Sequence, residues 1–298
     1  MALAIAVNMV LTLAQIVGGI AAGSLSLIAD ALHNLSDAVS LIIAFAARKI
    51  ARRPSDAKMT FGYVRAEIVA ALINYTTLIL VGLYLVYEAV LRFFEPEPVA
   101  GWIIVIIAGI ALIVDLVTAL LTYAMSKSSM NIRAAFLHNV ADALGSVAVI
   151  VAGIAIIVFD WWIIDPIVTL LIAGYILWMA FAEIGGSIRM LMLGTPSDID
   201  LDDLVARLDG LEGVENVHHV HLWAIDENQT ALEAHVVTAS EDAGAREALK
   251  ARIKALLRET FGIGHSTLEF ERPGACPEDH AQTIGHPMAG DHHGHSHA

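Results

Sequence analysis

The sequence predicts an α-helical membrane protein with six transmembrane helices, followed by a C-terminal α+β ferredoxin-like cytoplasmic domain. Three observations predict it. The 298 residues are 57% hydrophobic with a mean hydropathy of +0.68, more apolar than a globule that must meet water over its whole surface. Six apolar stretches run from 2 to 22, 26 to 50, 64 to 92, 102 to 125, 132 to 158 and 162 to 190, each near the ~20 residues that cross a bilayer as a helix. From Thr195 onward the chain turns to short alternating segments with a strong acidic balance.

The first stretch lacks a basic leading region and an A-x-A context, so it reads as a span and not as a cleaved leader. Six spans put both termini on one side. The connection after span 2 carries Arg48, Lys49, Arg52, Arg53 and Lys58, the one after span 4 carries Lys127 and Arg133, and span 6 ends near Arg189. The opposite connections hold Glu95, Glu97, Asp160 and Asp165 with only Arg92 nearby. Because basic loops stay inside, both termini are expected in the cytoplasm, with the chain in the inner (cytoplasmic) membrane.

Residues 1–194 form the expected six-helix transmembrane domain, 195–272 the cytoplasmic domain and 273–298 a disordered tail. From Thr195 on, 19 acidic residues face 7 basic ones, which leaves −12 of the chain's −14 in this part. That balance suits cations and excludes nucleic acid, which needs a basic footprint. A lone cysteine, Cys276, excludes an intrachain disulfide framework and a cysteine-built zinc finger. Asp198 or Asp200 can cap a helix over DLDDLVARLDGL. VENVHHVHLWAID and QTALEAHVVTA alternate as strands about a turn at Asp226, Glu227 and Asn228, AREALKARIKALLRETF has helical spacing, and HSTLEFE is a last short strand. The sequence GACPEDHAQTIGHPMAGDHHGHSHA is too poor in apolar residues to pack. It is either a flexible zinc-capturing end or an idle one.

The chemistry sits inside the spans. Span 2 reads ALHNLSDA and span 5 reads FLHNVADA, so His33, Asn34 and Asp37 recur as His138, Asn139 and Asp142 at an offset of 105. Residues i and i+4 share a helical face about 5–6 Å apart, so each helix can offer an imidazole nitrogen and a carboxylate oxygen to one ion. Two such helices face to face supply an N₂O₂ set that suits tetrahedral Zn²⁺. A divalent ion also offsets the cost, about 2.5–3.5 kcal/mol on insertion scales, of an ionised aspartate at the membrane centre. A single His in an apolar span is more often a packing residue than a ligand; the duplication is what argues for ligation.

With SLSLIADALHNLSDA in span 2, FGYVRAEIVAALIN opening span 3, FLHNVADALGSV in span 5, and VHHVHLWAID with GHSTLEFE beyond the membrane, the chain resembles the cation diffusion facilitator family over residues 1 to 272. The resemblance implies a homodimeric zinc efflux protein that exchanges Zn²⁺ for protons across the lipid bilayer by alternating access. It implies a transport site of His33, Asp37, His138 and Asp142. It also implies a regulatory metal site in the cytoplasmic domain at His218, His235 and His265. In an ideal strand His219 and His221 point away from His218. Imidazole independently favours zinc, cobalt, copper and nickel over calcium and magnesium, and the lack of thiolates argues against Cu(I).

Some relatives bind a further ion through histidines in the loop between spans 2 and 3; here Asp56 is accompanied by Met59 and Tyr63, so that site is expected to be absent. Where the family often has a glutamate in span 1, this chain has Gln15. Asp115 in span 4 reads equally as a proton relay or support for the site and as a bond to a neighbouring helix. Arg65 and Glu67 read as a structural ion pair, and Cys276 with His280 as weak additions to the domain site. Two rivals stand beside the antiporter. A membrane metalloprotease wants H-E-x-x-H and an open water position, which H-N-x-x-D does not give, so no enzyme is expected. A passive metal channel would ignore a pH gradient.

Overall fold

The structure is a computed structural model that describes residues 2–126, 130–226, 228–274 and 283–285; side chains are described from residue 9 onward, except 122, 124–126, 130–135 and 138. It divides into two compact units, one of residues 1–47 with 70–185 and one of 48–69 with 186–298.

Six helices supply the first unit, α1 (Ala2–Ala22), α2 (Leu25–Ala51), α3 (Ala66–Phe94), α4 (Gly101–Ser126), α5 (Met130–Phe159) and α6 (Ile164–Leu191), of which α2, α3 and α6 each run a few residues past its bounds. Five described helical stretches are long and apolar enough to cross a membrane, namely Leu25–Ala51, Ala66–Phe94, Gly101–Leu121, Asn139–Phe159 and Ile164–Leu191. The fully described part of α1, Met9–Ala22, is apolar but shorter. The protein is therefore a multi-pass membrane protein. Its helices meet through small side chains: Ala29, Ala108, Ala111, Ala152, Ala173 and Ala180 are fully buried, while Phe45, Ile106, Leu171 and Trp178 point outward. This is the pattern required where lipid outside is as apolar as leucine inside, so that close backbone approach must drive association. Gly153 shows the limit, since a Cβ there would stand 2.8 Å from Val105 Cγ2, and α5 approaches α4 only because it has none.

Polar groups tie the bundle at defined heights. Asp165, fully buried in the first turn of α6, accepts from Ser24 Oγ at 2.6 Å, Ser26 Oγ at 2.6 Å and the Leu25 amide at 2.7 Å. The sequence places Asp165 among acidic loop residues; in the structure it caps α2 and satisfies the orphan donors of that helix start. Ser40 of α2 donates to Asn74 Oδ1 of α3.

The second unit holds the connector between α2 and α3, then α7 (Leu201–Asp209), β1 (Asn216–Ala224), β2 (Thr230–Val237), α8 (Ala243–Phe261) and β3 (His265–Glu271). Of the two possible caps for α7, Asp200 serves, accepting from the amides of Asp202 at 3.0 Å and Asp203 at 3.3 Å. α8 stops at Gly262, whose φ of 68° lets the Ile263 amide reach back to Leu257 O at 2.9 Å. The three-stranded sheet runs β1-β2-β3, antiparallel between the first pair and parallel between the second. Leu204 and Leu208 of α7 and Leu249, Ile253 and Leu257 of α8 pack on Val217, Val220, Leu222, Leu232, Ala234 and Val236. Both helices therefore cover one face, leaving the other for polar side chains.

β1 is not ideal. A bulge lies between His218 and His221, with His219 at φ 53°. The extra residue reverses the alternation, so the expectation that His219 and His221 point away from His218 is corrected. His219 stacks on His235 with centroids 4.6 Å apart, and its ring lies 5.1 Å from that of His221.

Candidate metal centres

α2 presents Asp30, His33, Asn34 and Asp37 along one stripe, and all but Asp37 are buried. His33 Nε2 lies 3.8 Å from Asp37 Oδ2 on its own helix and 3.4 Å from Asp142 Oδ1 on α5. The three ligand atoms fall within 4.8 Å of one another, a spacing that one metal ion can bridge. For bonds of about 2.0–2.1 Å, tetrahedral zinc needs neighbouring ligands about 3.3–3.4 Å apart, and the His33–Asp142 pair already has that separation. His138 lies one turn before Asp142 on α5, but its side chain is outside those described. Tyr175 of α6 meets the His33 ring edge-on at 6.3 Å.

A further buried layer adjoins these ligands. Gln15 Nε2 donates to Asp30 Oδ2 at 2.6 Å, and Asn34 Nδ2 donates to Gln15 Oε1 at 3.3 Å. Asp30 lies within electrostatic reach of Asp115, His33 and Asp142. Ser146 Oγ of α5 donates to Asp115 Oδ2 at 3.1 Å, so Asp115 does bond a neighbouring helix. Sequence reasoning missed Asp30, although its signal was present, since it precedes His33 by three and Asp37 by seven on the same face.

In the second unit the helix-free face of the sheet gathers another group. His218 Nε2 is 3.4 Å from Glu271 Oε2, and His235 Nδ1 is 2.7 Å from Glu271 Oε1. His218, His235 and Glu271 place ligand atoms within 4.8 Å of one another. Asn216 Oδ1, 3.2 Å from His218 Nδ1, orients that ring. His265 is not brought to this group. It pairs with Ala231 at the far end of β3, whereas Glu271 pairs with Val237, and the six intervening steps cover roughly 20 Å. Its ring instead meets Phe61 of the connector at 6.5 Å. Glu271, set opposite Val237 by the parallel register, reaches His235 two residues back along β2, a neighbour that spacing along one strand does not reveal. Cys276, His280 and the histidine-rich end fall outside the described residues.

The connector is held by its own residues. Asp56 accepts from Tyr63 Oη at 2.8 Å and from the amides of Lys58 and Met59 at 2.8 and 2.9 Å. The Tyr63 bond foremost, then the two amides, hold the Asp56 carboxyl below its usual value, and the same bond pushes the Tyr63 phenol up. Arg65 and Glu67 do not pair with each other. Glu67 meets Arg48 at 3.8 Å, and Arg65 donates to the carbonyls of Ala224 at 3.1 Å and Ile225 at 3.4 Å.

Residues 1–192 match the cation efflux transmembrane domain, and residues 196–273 match the cytoplasmic domain of cation efflux proteins. This chain belongs to the cation efflux family. Within that family, also called the cation diffusion facilitators, it is of the zinc type. It is 38% identical to the "Cadmium, cobalt and zinc/H(+)-K(+) antiporter" of Bacillus subtilis, over 86% of this chain and 83% of that one. It is also 38% identical to "Zinc transporter ZitB" of Pectobacterium atrosepticum, over 90% and 83%. The "Metal cation efflux system protein CzcD" of Cupriavidus metallidurans is 35% identical over 94% and 88%. The two family matches of this cation efflux protein meet between residues 192 and 196, whereas the compact unit that holds residues 186–298 also takes in 48–69.

Proposed function

We propose that the protein exports Zn²⁺ from the cytoplasm in exchange for protons, as a homodimer of six-span subunits in the cytoplasmic membrane with both termini inside. One observation carries the reading: an imidazole and two carboxylates from α2 and α5 converge within 4.8 Å inside an apolar bundle. The repeated motif makes His138, one turn before Asp142 in the sequence of α5, the fourth ligand of this reading. Two neutral imidazoles and two carboxylates around Zn²⁺ sum to zero charge, so the loaded site is tolerable at membrane depth. Metal binding must expel protons from the ligands, so affinity falls as pH falls. A site open to the cytoplasm loads zinc at near-neutral pH. Opened to the outside, it yields the ion to incoming protons, and each half-cycle resets the other. The relatives named as a zinc transporter and as a zinc/H(+)-K(+) antiporter support this cargo and counter-ion.

α1 supplies the sixth span, and the order helix, strand, strand, helix, strand, with both helices on one sheet face, suits a ferredoxin-like cytoplasmic domain. His218, His235 and Glu271 would hold a regulatory zinc there, two imidazoles and a carboxylate being a set that zinc accepts. Two acidic domains repel until cations neutralise them, and metal on this face would draw the pair together. The basic connections after α2 and α4 support the cytoplasmic placement. Metal-resolved uptake into proteoliposomes tests the reading: zinc should be the preferred cargo, and a protein that carries no divalent metal would refute it.

A further inference from the structure

We infer that Gln15, on a helix that carries no metal ligand, sets the metal selectivity of the membrane site by fixing the rotation of α2; this rests on the reading of that site as the transport site. The fully buried Gln15 amide uses both of its ends on one stripe of α2. It donates to Asp30 Oδ2 at 2.6 Å and accepts from Asn34 Nδ2 at 3.3 Å. At ~100° per residue, Asp30, His33, Asn34 and Asp37 fall within about 100° of arc, and His33 lies in sequence between the two clamped residues. Any turn or slide of α2 that carries His33 away from Asp142 also pulls Asp30 and Asn34 off the amide. All three clamped side chains are buried, so no water replaces the lost partners and the motion is opposed.

The far side of the stripe is fixed too. α5 presents Gly145 to Asp30, where a Cβ would stand 3.5 Å from Asp30 Oδ1. Asp30 is therefore bounded by α1 and by α5, one turn along α5 from the ligand Asp142. The clamp holds His33 Nε2 and Asp142 Oδ1 at 3.4 Å, the edge of a small tetrahedron. A larger ion such as Cd²⁺ needs those atoms to spread, which the clamp resists. An amide suits the task because it donates and accepts at once without adding a charge beside Asp30.

The test is initial-rate competition between Zn²⁺ and Cd²⁺ in proteoliposomes of the full-length protein, with Gln15→Leu, which keeps volume and loses both bonds, and Asn34→Ala, which loses one. The zinc-to-cadmium ratio of kcat/KM should fall about tenfold in Gln15→Leu, the equivalent of one buried hydrogen bond. Asn34→Ala should fall less, and zinc kcat should stay within about threefold of wild type in both. Damage to the fold alone would lower both fluxes together, so an unchanged ratio overturns the inference. If Gln15→Leu fails to insert, Asn34→Ala decides by the same criterion. A wild-type protein that prefers cadmium also overturns the clamp, whereas one that moves neither metal overturns the transport reading beneath it.

Discussion

Replacing Asp142 by asparagine separates a metal ligand from a structural carboxylate, because the two roles predict opposite signs. With the proposed ligands, Asp37, Asp142 and two neutral imidazoles, the wild-type site loaded with Zn²⁺ is neutral. Asp142→Asn leaves the shape but gives the loaded site a charge of +1 inside the apolar bundle. An uncompensated charge at membrane depth costs about 2.5–3.5 kcal/mol, which corresponds to about 100-fold weaker zinc binding. The empty protein gains by the same change. Asp142 Oδ1 is 3.4 Å and Asp37 Oδ2 3.8 Å from the same His33 Nε2, so in the metal-free protein two carboxylates crowd one imidazole, and replacing one by an amide eases their mutual repulsion. Zinc affinity measured by competition with a chromogenic chelator at fixed pH, together with the thermal midpoint of the metal-free protein in detergent, reads both signs. Affinity should drop about 100-fold while the metal-free midpoint holds or rises. Affinity within about threefold of wild type would show that Asp142 does not bind the ion.

Three further outcomes follow from the geometry. Glu271→Gln should weaken zinc binding at the cytoplasmic domain by at least about tenfold, whereas His265→Ala should leave it unchanged; a two-site titration of the full-length protein distinguishes them, and the reverse order would restore His265 as the ligand. Asp165→Asn removes the charge that accepts from Ser24, Ser26 and Leu25, at about 1.5–3 kcal/mol for a lost charged hydrogen bond, so the thermal midpoint should fall while zinc affinity holds. Because Asp56 titrates below its ordinary 3.8, its bonds order the connector above that value and are lost as pH falls through the lowered one. Tyr63→Phe removes the largest cause, so hydrogen exchange across residues 54–64 should speed up at a higher pH than in wild type, and an unmoved profile would dismiss the Tyr63 bond.

The membrane part was legible because both signals that matter there are local. Length and apolarity fix the helices, and the H-N-x-x-D spacing alone puts His33 beside Asp37. Asp142 could be joined to them because the motif repeats. Gln15 and Asp165 were present in the reading but without their roles, since each acts on a helix distant in sequence, and only packing shows that the Gln15 amide meets Asp30 or that Asp165 caps α2. In the cytoplasmic domain the elements followed from alternation and caps, yet the metal group did not. Two facts lay beyond a period-two argument: the bulge at His219, which reverses the alternation of β1, and the parallel register that sets Glu269 and Glu271 against His235 and Val237. Arg65 and Glu67 misled because neighbours in sequence look like partners, while a carbonyl acceptor such as Ala224 O leaves no trace in composition.

The most direct test of the central claim records zinc and proton movement in the same proteoliposomes, with a zinc dye and a pH dye trapped inside and an imposed pH gradient as the only driving force. Zinc should move against its own gradient while protons move the opposite way, and both fluxes should vanish together in Asp142→Asn. Zinc flux that runs only down its own gradient and ignores the imposed pH difference would contradict it.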